Sequence, residues 1–185
     1  EKLSAFEFFS DFALKMVIKH IPNTTQPFDK YYPFYLLVDL EQTADKEKFI
    51  KNIEDFLIES LENKIIIDGV LSKNFAEKEK LWRIRENIPY AQKPEGASLK
   101  HDVSVPISKI SYFLNDALKN LNNLNIDLRP CIFGHLGDGN IHFNITKPLN
   151  IEDKVFLELE GKISKLVYDI VSKYNGSISA EHGIG

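Results

Sequence analysis

The sequence has 185 residues, with 23 Lys or Arg, 27 Asp or Glu and a hydrophobic fraction of 43%. A chain of this length buries about 70% of its unfolded surface, so the composition predicts one compact domain and excludes intrinsic disorder. The single cysteine, Cys131, excludes a scaffold of intrachain disulfides, and the net charge of −4 argues against a nucleic-acid-binding module.

Helix-like and strand-like stretches alternate along the chain. Apolar residues at helical spacing predict helices over residues 4–20, 44–62, 74–88, 108–121 and 151–174. Runs of β-branched and aromatic residues predict strands over 32–40, 65–71 and 99–105, two strands within 130–146, and an extended segment over 177–181. This order favours an α+β fold, a mostly antiparallel sheet covered by helices in a ferredoxin-like arrangement.

Both ends of the sequence predict that residues 1–185 are a fragment of a longer protein. The chain begins at Glu1 rather than Met, and it stops at a loop-like Gly183-Ile184-Gly185. No apolar run approaches the roughly 20 residues that are needed to span a bilayer. Targeting signals cannot be read from such a fragment.

The sequence around Asp138-Gly139 is the most informative stretch. An Asp-Gly pair between two apolar runs predicts a two-residue hairpin turn, which would set His135 directly opposite His142. Asn144 would lie on the same face, whereas the other face is apolar. Two imidazoles on one face predict a metal site, and the alternative is a polar face exposed to solvent.

Glu181 and His182 supply candidates for a third ligand. Neighbouring residues on an extended chain point in opposite directions, so one of the two would ligate the metal and the other would handle a proton. Two histidines and one carboxylate, with open positions, form a recognised catalytic metal pattern. A metal there acts as a Lewis acid, and a neutral histidine can take the proton of a hydroxyl.

Two cations complete the candidate site. Arg85 lies in the helix-like stretch Leu81–Glu86, and Lys100 is the second residue of the strand predicted over 99–105. Arginine binds carboxylates with two parallel hydrogen bonds, which suits an acidic substrate. Each residue taken alone also fits an ordinary surface position.

Four stretches in order resemble the C-terminal, substrate-side domain of the FAD-linked oxidases of the vanillyl-alcohol oxidase superfamily. The resemblance is closest to the D-lactate and D-2-hydroxyglutarate dehydrogenases, and it covers most of the chain. The stretches are Leu81 to Arg85, Glu95 to Pro106, Phe133 to Asn144 and Ser177 to Gly185.

The resemblance implies a role for each candidate residue. In the D-2-hydroxyglutarate dehydrogenase-like members, a divalent metal, usually zinc, is bound by the residues that match His135, His142 and Glu181. The residue that matches His182 is the general base, and the substrate site is lined by those that match Arg85, Lys100 and Asn144. One departure is Pro89, which stands where some members have a threonine that contacts the substrate.

The resemblance also implies the reaction and the partners. A D-2-hydroxy acid would be oxidised to the 2-oxo acid by hydride transfer to flavin, with FAD held mainly by an N-terminal domain that these residues do not contain. The expected partners are a small 2-hydroxy acid and an electron acceptor, with a homodimer left open and no nucleic acid. The expected location is the cytoplasm or the periphery of the inner membrane.

Two alternatives remain from the residues alone. One is a stand-alone metal-dependent hydrolase that activates water with His135, His142 and Glu181. It leaves Arg85 and Lys100 unexplained. The other is a non-enzymatic ferredoxin-like binding module, which makes every motif accidental.

Overall fold

The computed structural model describes residues 2–41 and 45–181. Its strands are β1 Lys2–Ser10, β2 Phe34–Glu41, β3 Ser98–Leu99, β4 Asp102–Ser104, β5 Arg129–His135 and β6 Asn140–Thr146. Its α-helices are α1 Asp11–His20, α2 Lys46–Glu62, α3 Phe75–Glu86, α4 Ile88–Gln92, α5 Ile110–Asn122, α6 Asp153–Leu157 and α7 Glu160–Lys173. The predicted α+β class is confirmed. No helix of the described residues is long and apolar enough to cross a membrane.

The six strands form one antiparallel sheet in the order β2-β1-β5-β6-β3, and β4 also pairs with β6. β3 and β4 share one register against β6, since Leu99 pairs with Ile145 and Asp102 with His142. They are therefore two pieces of a single edge strand, which confirms the strand predicted over 99–105. The same register sets Lys100, between the two pieces, opposite Asn144.

Helices cover both faces of the sheet because side chains of successive strand residues point to opposite sides. On one face, Ile132 and Phe143 pack with α5, α6 and α7 in the larger apolar cluster. On the other face, Phe9 and Phe133 pack with α1, α3 and α4 in a second cluster. The second face also carries the polar residues of the hairpin, so helices of that layer line the candidate site.

The first element differs from the helix that the sequence predicts over residues 4–20. The chain is a strand as far as Ser10, and the helix begins only at Asp11. β1 pairs with β2 on one side and with β5 on the other, and this sends Phe8 and Phe9 into opposite clusters. The Ser10 side chain accepts hydrogen bonds from the backbone N–H of Ala13, as the N-cap of α1, and from that of Ile132.

Two further predictions need correction. The strand predicted over 65–71 is wrong: this segment pairs with no strand of the described chain, and Ile65 and Ile67 are about three-quarters exposed. The first residue of this segment instead helps to close the C-terminal end of α2, because the backbone N–H of Ile65 donates to the carbonyl of Ser60. The helix predicted over 151–174 is two helices, α6 and α7, interrupted at Glu158 and Leu159.

Candidate metal and substrate site

The hairpin that carries both histidines has a different register from the predicted one. His135 pairs with Asn140 and Phe133 pairs with His142, so the two histidines are not directly opposite each other. Four residues, 136–139, form the loop, which is closed by a hydrogen bond from the Gly139 N–H to the His135 carbonyl. The reason is tertiary, because the N–H of Leu136 donates to the carbonyl of Phe6 in β1 at 2.8 Å rather than to β6.

The two histidines are close together, as predicted, despite this change of register. A shift of two residues keeps every side chain on its original face, whereas a shift of one would reverse the faces. His135 and His142 are therefore diagonal neighbours, with ring centroids 5.8 Å apart and ring planes at 78°. The His142 ring also packs against Phe133 at 4.7 Å, which holds it at the edge of the apolar cluster.

Glu181 reaches the histidines because the chain after α7 follows the edge of β4. Ser177 forms a bridge with Ser104, and the backbone N–H groups of Ala180 and Glu181 both donate to Asp102. The Oε1 atom of Glu181 lies 3.4 Å from Nε2 of His135. The same oxygen accepts a hydrogen bond of 2.5 Å from the amide of Asn140.

His135, His142 and Glu181 form a donor set that fits a divalent metal. One ligand atom from each lies within 4.8 Å of the others. The 3.4 Å between His135 Nε2 and Glu181 Oε1 matches the separation of two ligands at about 2.1 Å from a tetrahedral ion. Nitrogen and carboxylate donors in this ratio suit zinc, and imidazole also suits iron and copper.

Besides Glu181, each imidazole has a carboxylate next to its Nδ1 atom, as is common for histidines that ligate metals. His135 Nδ1 lies 2.8 Å from Oε1 of Glu7, and His142 Nδ1 lies 3.5 Å from Oδ1 of Asp102. Burial lowers the pKa of His142 below its ordinary value, although Glu181 and Asp102 oppose the shift. The lower pKa favours the neutral imidazole, which is the form that binds metal.

Arg85 extends from α3 into the site, and its side chain is buried rather than at the surface. Its side chain is buried beneath the hairpin, and its guanidinium lies 4.9 Å from the centre of the Phe133 ring. Its Nε and Nη2 atoms lie 3.0 and 2.8 Å from Oε2 of Glu7. Burial lowers the pKa of Arg85, and the charge of Glu7 opposes that shift.

The other two predicted substrate residues lie on the same face, farther along β6. Asn144 is buried and donates a hydrogen bond of 2.9 Å to Gln92 of α4. Lys100 is exposed on the neighbouring edge strand, opposite Asn144 by register, and it pairs with no acidic group of the described residues. His182, the predicted base, lies outside the described residues, and its role stays a prediction.

Four residues of the site were not predicted from the sequence: Glu7, Gln92, Asp102 and Asn140. Glu7 is hidden in an apolar run that indicates a helix, and its partners are 78 and 128 residues away. Asp102 and Asn140 lie inside two of the four stretches that carry the resemblance, and their polar side chains on the face of His142 were the available signal.

Comparison with known proteins decides the family. The whole chain, residues 1–185, matches the family described as FAD linked oxidases, C-terminal domain. The chain belongs to this family. The FAD-linked oxidase resemblance of the sequence motifs is thereby confirmed over the full length.

Relatives within the FAD-linked oxidase family carry related names. The mitochondrial D-2-hydroxyglutarate dehydrogenase of Arabidopsis thaliana is 38% identical over 188 residues, which cover 100% of this chain and 32% of that protein. The D-2-hydroxyglutarate dehydrogenase of Stutzerimonas stutzeri is 36% identical over 185 residues, 99% of this chain and 39% of that protein. The putative mitochondrial D-lactate dehydrogenase of Schizosaccharomyces pombe is 37% identical over 194 residues, which cover 100% of this chain and 36% of that protein. The chain thus spans about a third of the length of these relatives.

Proposed function

We propose that this chain is the substrate-side domain of an FAD-dependent dehydrogenase that oxidises a D-2-hydroxy acid to the 2-oxo acid. The observation that carries the proposal is the grouping of His135, His142 and Glu181 within 4.8 Å, with Arg85 bonded to the carboxylate that also contacts His135. A metal-ligating cluster beside a buried cation suits a substrate that carries both a hydroxyl and a carboxylate. The names of the relatives support D-2-hydroxyglutarate and D-lactate as the candidates.

Two groups that this chain would work with supply the redox and Lewis-acid chemistry. When bound, FAD, held mainly by a domain outside these residues, would supply the hydride acceptor, and a divalent metal such as zinc would supply a Lewis acid for the substrate hydroxyl. Nε2 of His135, His142 and a carboxylate oxygen of Glu181 would hold the metal. Asn140 orients Glu181 by donating to its Oε1 atom.

The remaining residues of the site bind the substrate and move its proton. His182 follows Glu181 directly, and its imidazole would take the hydroxyl proton as the hydride leaves. Arg85 and Asn144 approach from α3 and β6, and they would orient the substrate carboxylate. Lys100, exposed opposite Asn144, offers a cation for a second carboxylate, which 2-hydroxyglutarate has and lactate lacks.

The experiment that tests this function uses the full-length protein that contains the chain. Oxidation of D-2-hydroxyglutarate, D-lactate and glycolate is followed with a dye as electron acceptor, before and after treatment with a chelator. We expect oxidation of one of the D-2-hydroxy acids, its loss on chelation and its recovery on addition of Zn²⁺ or Mn²⁺. A flavin-loaded protein that oxidises none of these acids would contradict the proposed substrate class.

The alternative of a stand-alone hydrolase has less support, because the family match extends over residues that a water-activating cluster does not need. The electron acceptor, a homodimer and a location in the cytoplasm or at the inner membrane remain proposals. Two of the relatives above are mitochondrial by name.

A further inference from the structure

Glu7 is a buried carboxylate that the sequence motifs do not include. It lies in β1, paired with His135 of β5, and its side chain is 8% exposed. Its two oxygens have separate partners: Oε1 lies 2.8 Å from His135 Nδ1, and Oε2 lies 3.0 and 2.8 Å from Nε and Nη2 of Arg85. One carboxylate thus contacts both a candidate metal ligand and a candidate substrate-binding residue.

We propose that Glu7 is a positioning residue that prepares His135 to ligate the metal and holds Arg85 beside it. This inference rests on the proposed function for its metal-binding consequence. A carboxylate only accepts hydrogen bonds, so the proton of the neutral His135 ring must be on Nδ1. The lone pair is then on Nε2, the atom that faces Glu181 at 3.4 Å.

Arg85 determines what happens when the charge of Glu7 is removed. A guanidinium can only donate, so Arg85 requires an oxygen at the position that Oε2 occupies. Glutamine in place of Glu7 has one oxygen and one NH₂ group. With its oxygen given to Arg85, its NH₂ group would face Nδ1 of His135. That contact requires Nδ1 to accept, so the proton moves to Nε2 and the metal-facing atom loses its lone pair.

A second buried carboxylate provides a matched control. Glu95 is buried like Glu7 and also contacts a histidine and an arginine, His20 and Arg129, together with one lysine, Lys19. Arg129 begins β5 and His135 ends it, so the two clusters are at opposite ends of the strand, about 20 Å apart at 3.3 Å per residue. Glu95→Gln therefore removes a buried charge with the same kinds of partner, away from the metal ligands.

The experiment compares wild type, Glu7→Gln and Glu95→Gln in the full-length protein. Nitrogen-15 labelling of histidine and NMR of the chelated protein report which ring nitrogen of each histidine carries the proton, and His135→Gln assigns the His135 signal. Calorimetric titration with Zn²⁺ then reports the affinity for the metal. We expect wild-type His135 to be protonated on Nδ1, and Glu7→Gln to move that proton to Nε2 and to weaken Zn²⁺ binding by about 10- to 100-fold.

The control and the two readouts separate the outcomes. Glu95→Gln should leave both the His135 tautomer and the Zn²⁺ affinity at their wild-type values. Wild-type tautomer and affinity in Glu7→Gln would overturn the proposal, and so would equal losses of affinity in Glu7→Gln and Glu95→Gln. If the wild type binds no Zn²⁺, the proposed metal site fails, while the tautomer in the chelated protein still decides whether Glu7 sets the state of His135.

Discussion

Asn144 of β6 donates a hydrogen bond of 2.9 Å to the side-chain oxygen of Gln92 at the end of α4, and both side chains are buried. The bond fixes one end of the Asn144 amide, a group that we propose to bind the substrate. The pair also joins the sheet to α4, so the position of the amide depends on the packing of a helix.

Gln92→Ala should lower kcat/KM for the hydroxy acid because the Asn144 amide would lose the bond that orients it. A hydrogen bond of this kind contributes about 0.5–1.5 kcal/mol, so the loss should be up to about tenfold. Steady-state kinetics of the full-length protein measure it. Gln26→Ala is the control, since Gln26 is half-buried and its side chain bonds, among the described residues, to the backbone of Lys30. Equal kcat/KM in wild type and Gln92→Ala would show that the hydrogen bond from Asn144 to Gln92 does not contribute to turnover of the hydroxy acid.

Mutation should distinguish the proposed metal ligands from the proposed base. His135→Ala should reduce metal content and turnover together, because it removes a nitrogen ligand from the cluster. His182→Ala should abolish turnover but leave the flavin and metal content unchanged, since its proposed role is to accept a proton. Metal analysis and flavin absorbance of the purified variants check both. A His182→Ala protein that lacks metal would mean that the ligand and the base are assigned the wrong way round.

The grouping of His135, His142 and Asn144 on one face could be predicted from the sequence, but the pairing of the two strands could not. His135, His142 and Asn144 share a face in every register that differs by two residues, so the alternation of the hairpin was enough to group them. The turn type was not determined by Asp138-Gly139 alone. The N–H of Leu136 bonds to Phe6 of β1, a contact between residues 130 positions apart that local turn preferences do not contain.

Glu7 shows why part of the site was beyond the reach of sequence patterns. Phe6, Phe8 and Phe9 fit neither a clean period of two nor one of 3.6, and helical spacing was the wrong choice between them. β1 is a strand because β2 and β5 pair with its two edges. The position of the Glu7 carboxylate beside His135 and Arg85 therefore depends on strand pairings between segments that are distant in sequence.

The acid stability of the protein should depend on Glu95. Burial alone would raise the pKa of this carboxyl, but hydrogen bonds from His20, Lys19 and Arg129 outweigh burial and hold the pKa at about 2, below its ordinary 4.5. A lowered pKa stabilises the fold above the unfolded-state value, and this stabilisation is lost as the pH falls from about 4.5 towards 2. Between pH 5 and pH 3 the loss should be about 2 kcal/mol.

Urea unfolding at pH 5 and pH 3 tests the contribution of Glu95. Glu95→Gln should be less stable than wild type at pH 5, and its free energy of unfolding should fall less between the two pH values. Glu54→Gln, an exposed position on α2, is the control and should follow wild type. A pH dependence of Glu95→Gln identical to that of wild type would contradict the assignment.

The hairpin loop should depend on the glycine that ends it. Gly139 has φ = 80°, and a Cβ atom there would lie 2.2 Å from the carbonyl oxygen of Val105. Gly139→Ala should therefore lower the free energy of unfolding by at least about 1–2 kcal/mol. Gly161→Ala is the matched control, since Gly161 lies exposed in α7 and no other element of the described chain comes within 4 Å of the added Cβ. This substitution should raise stability by about 0.5 kcal/mol. Equal effects of the two substitutions in thermal or urea unfolding would contradict the interpretation of the loop.

The metal content of the full-length protein shows whether His135, His142 and Glu181 form a metal site. Elemental analysis would compare wild type with Glu181→Gln and with His20→Ala, whose histidine lies outside the cluster. We expect a divalent metal in stoichiometric amount in wild type and in His20→Ala, and a large loss in Glu181→Gln. Metal-free wild type that takes up no Zn²⁺ or Mn²⁺, or full metal content in Glu181→Gln, would contradict this expectation.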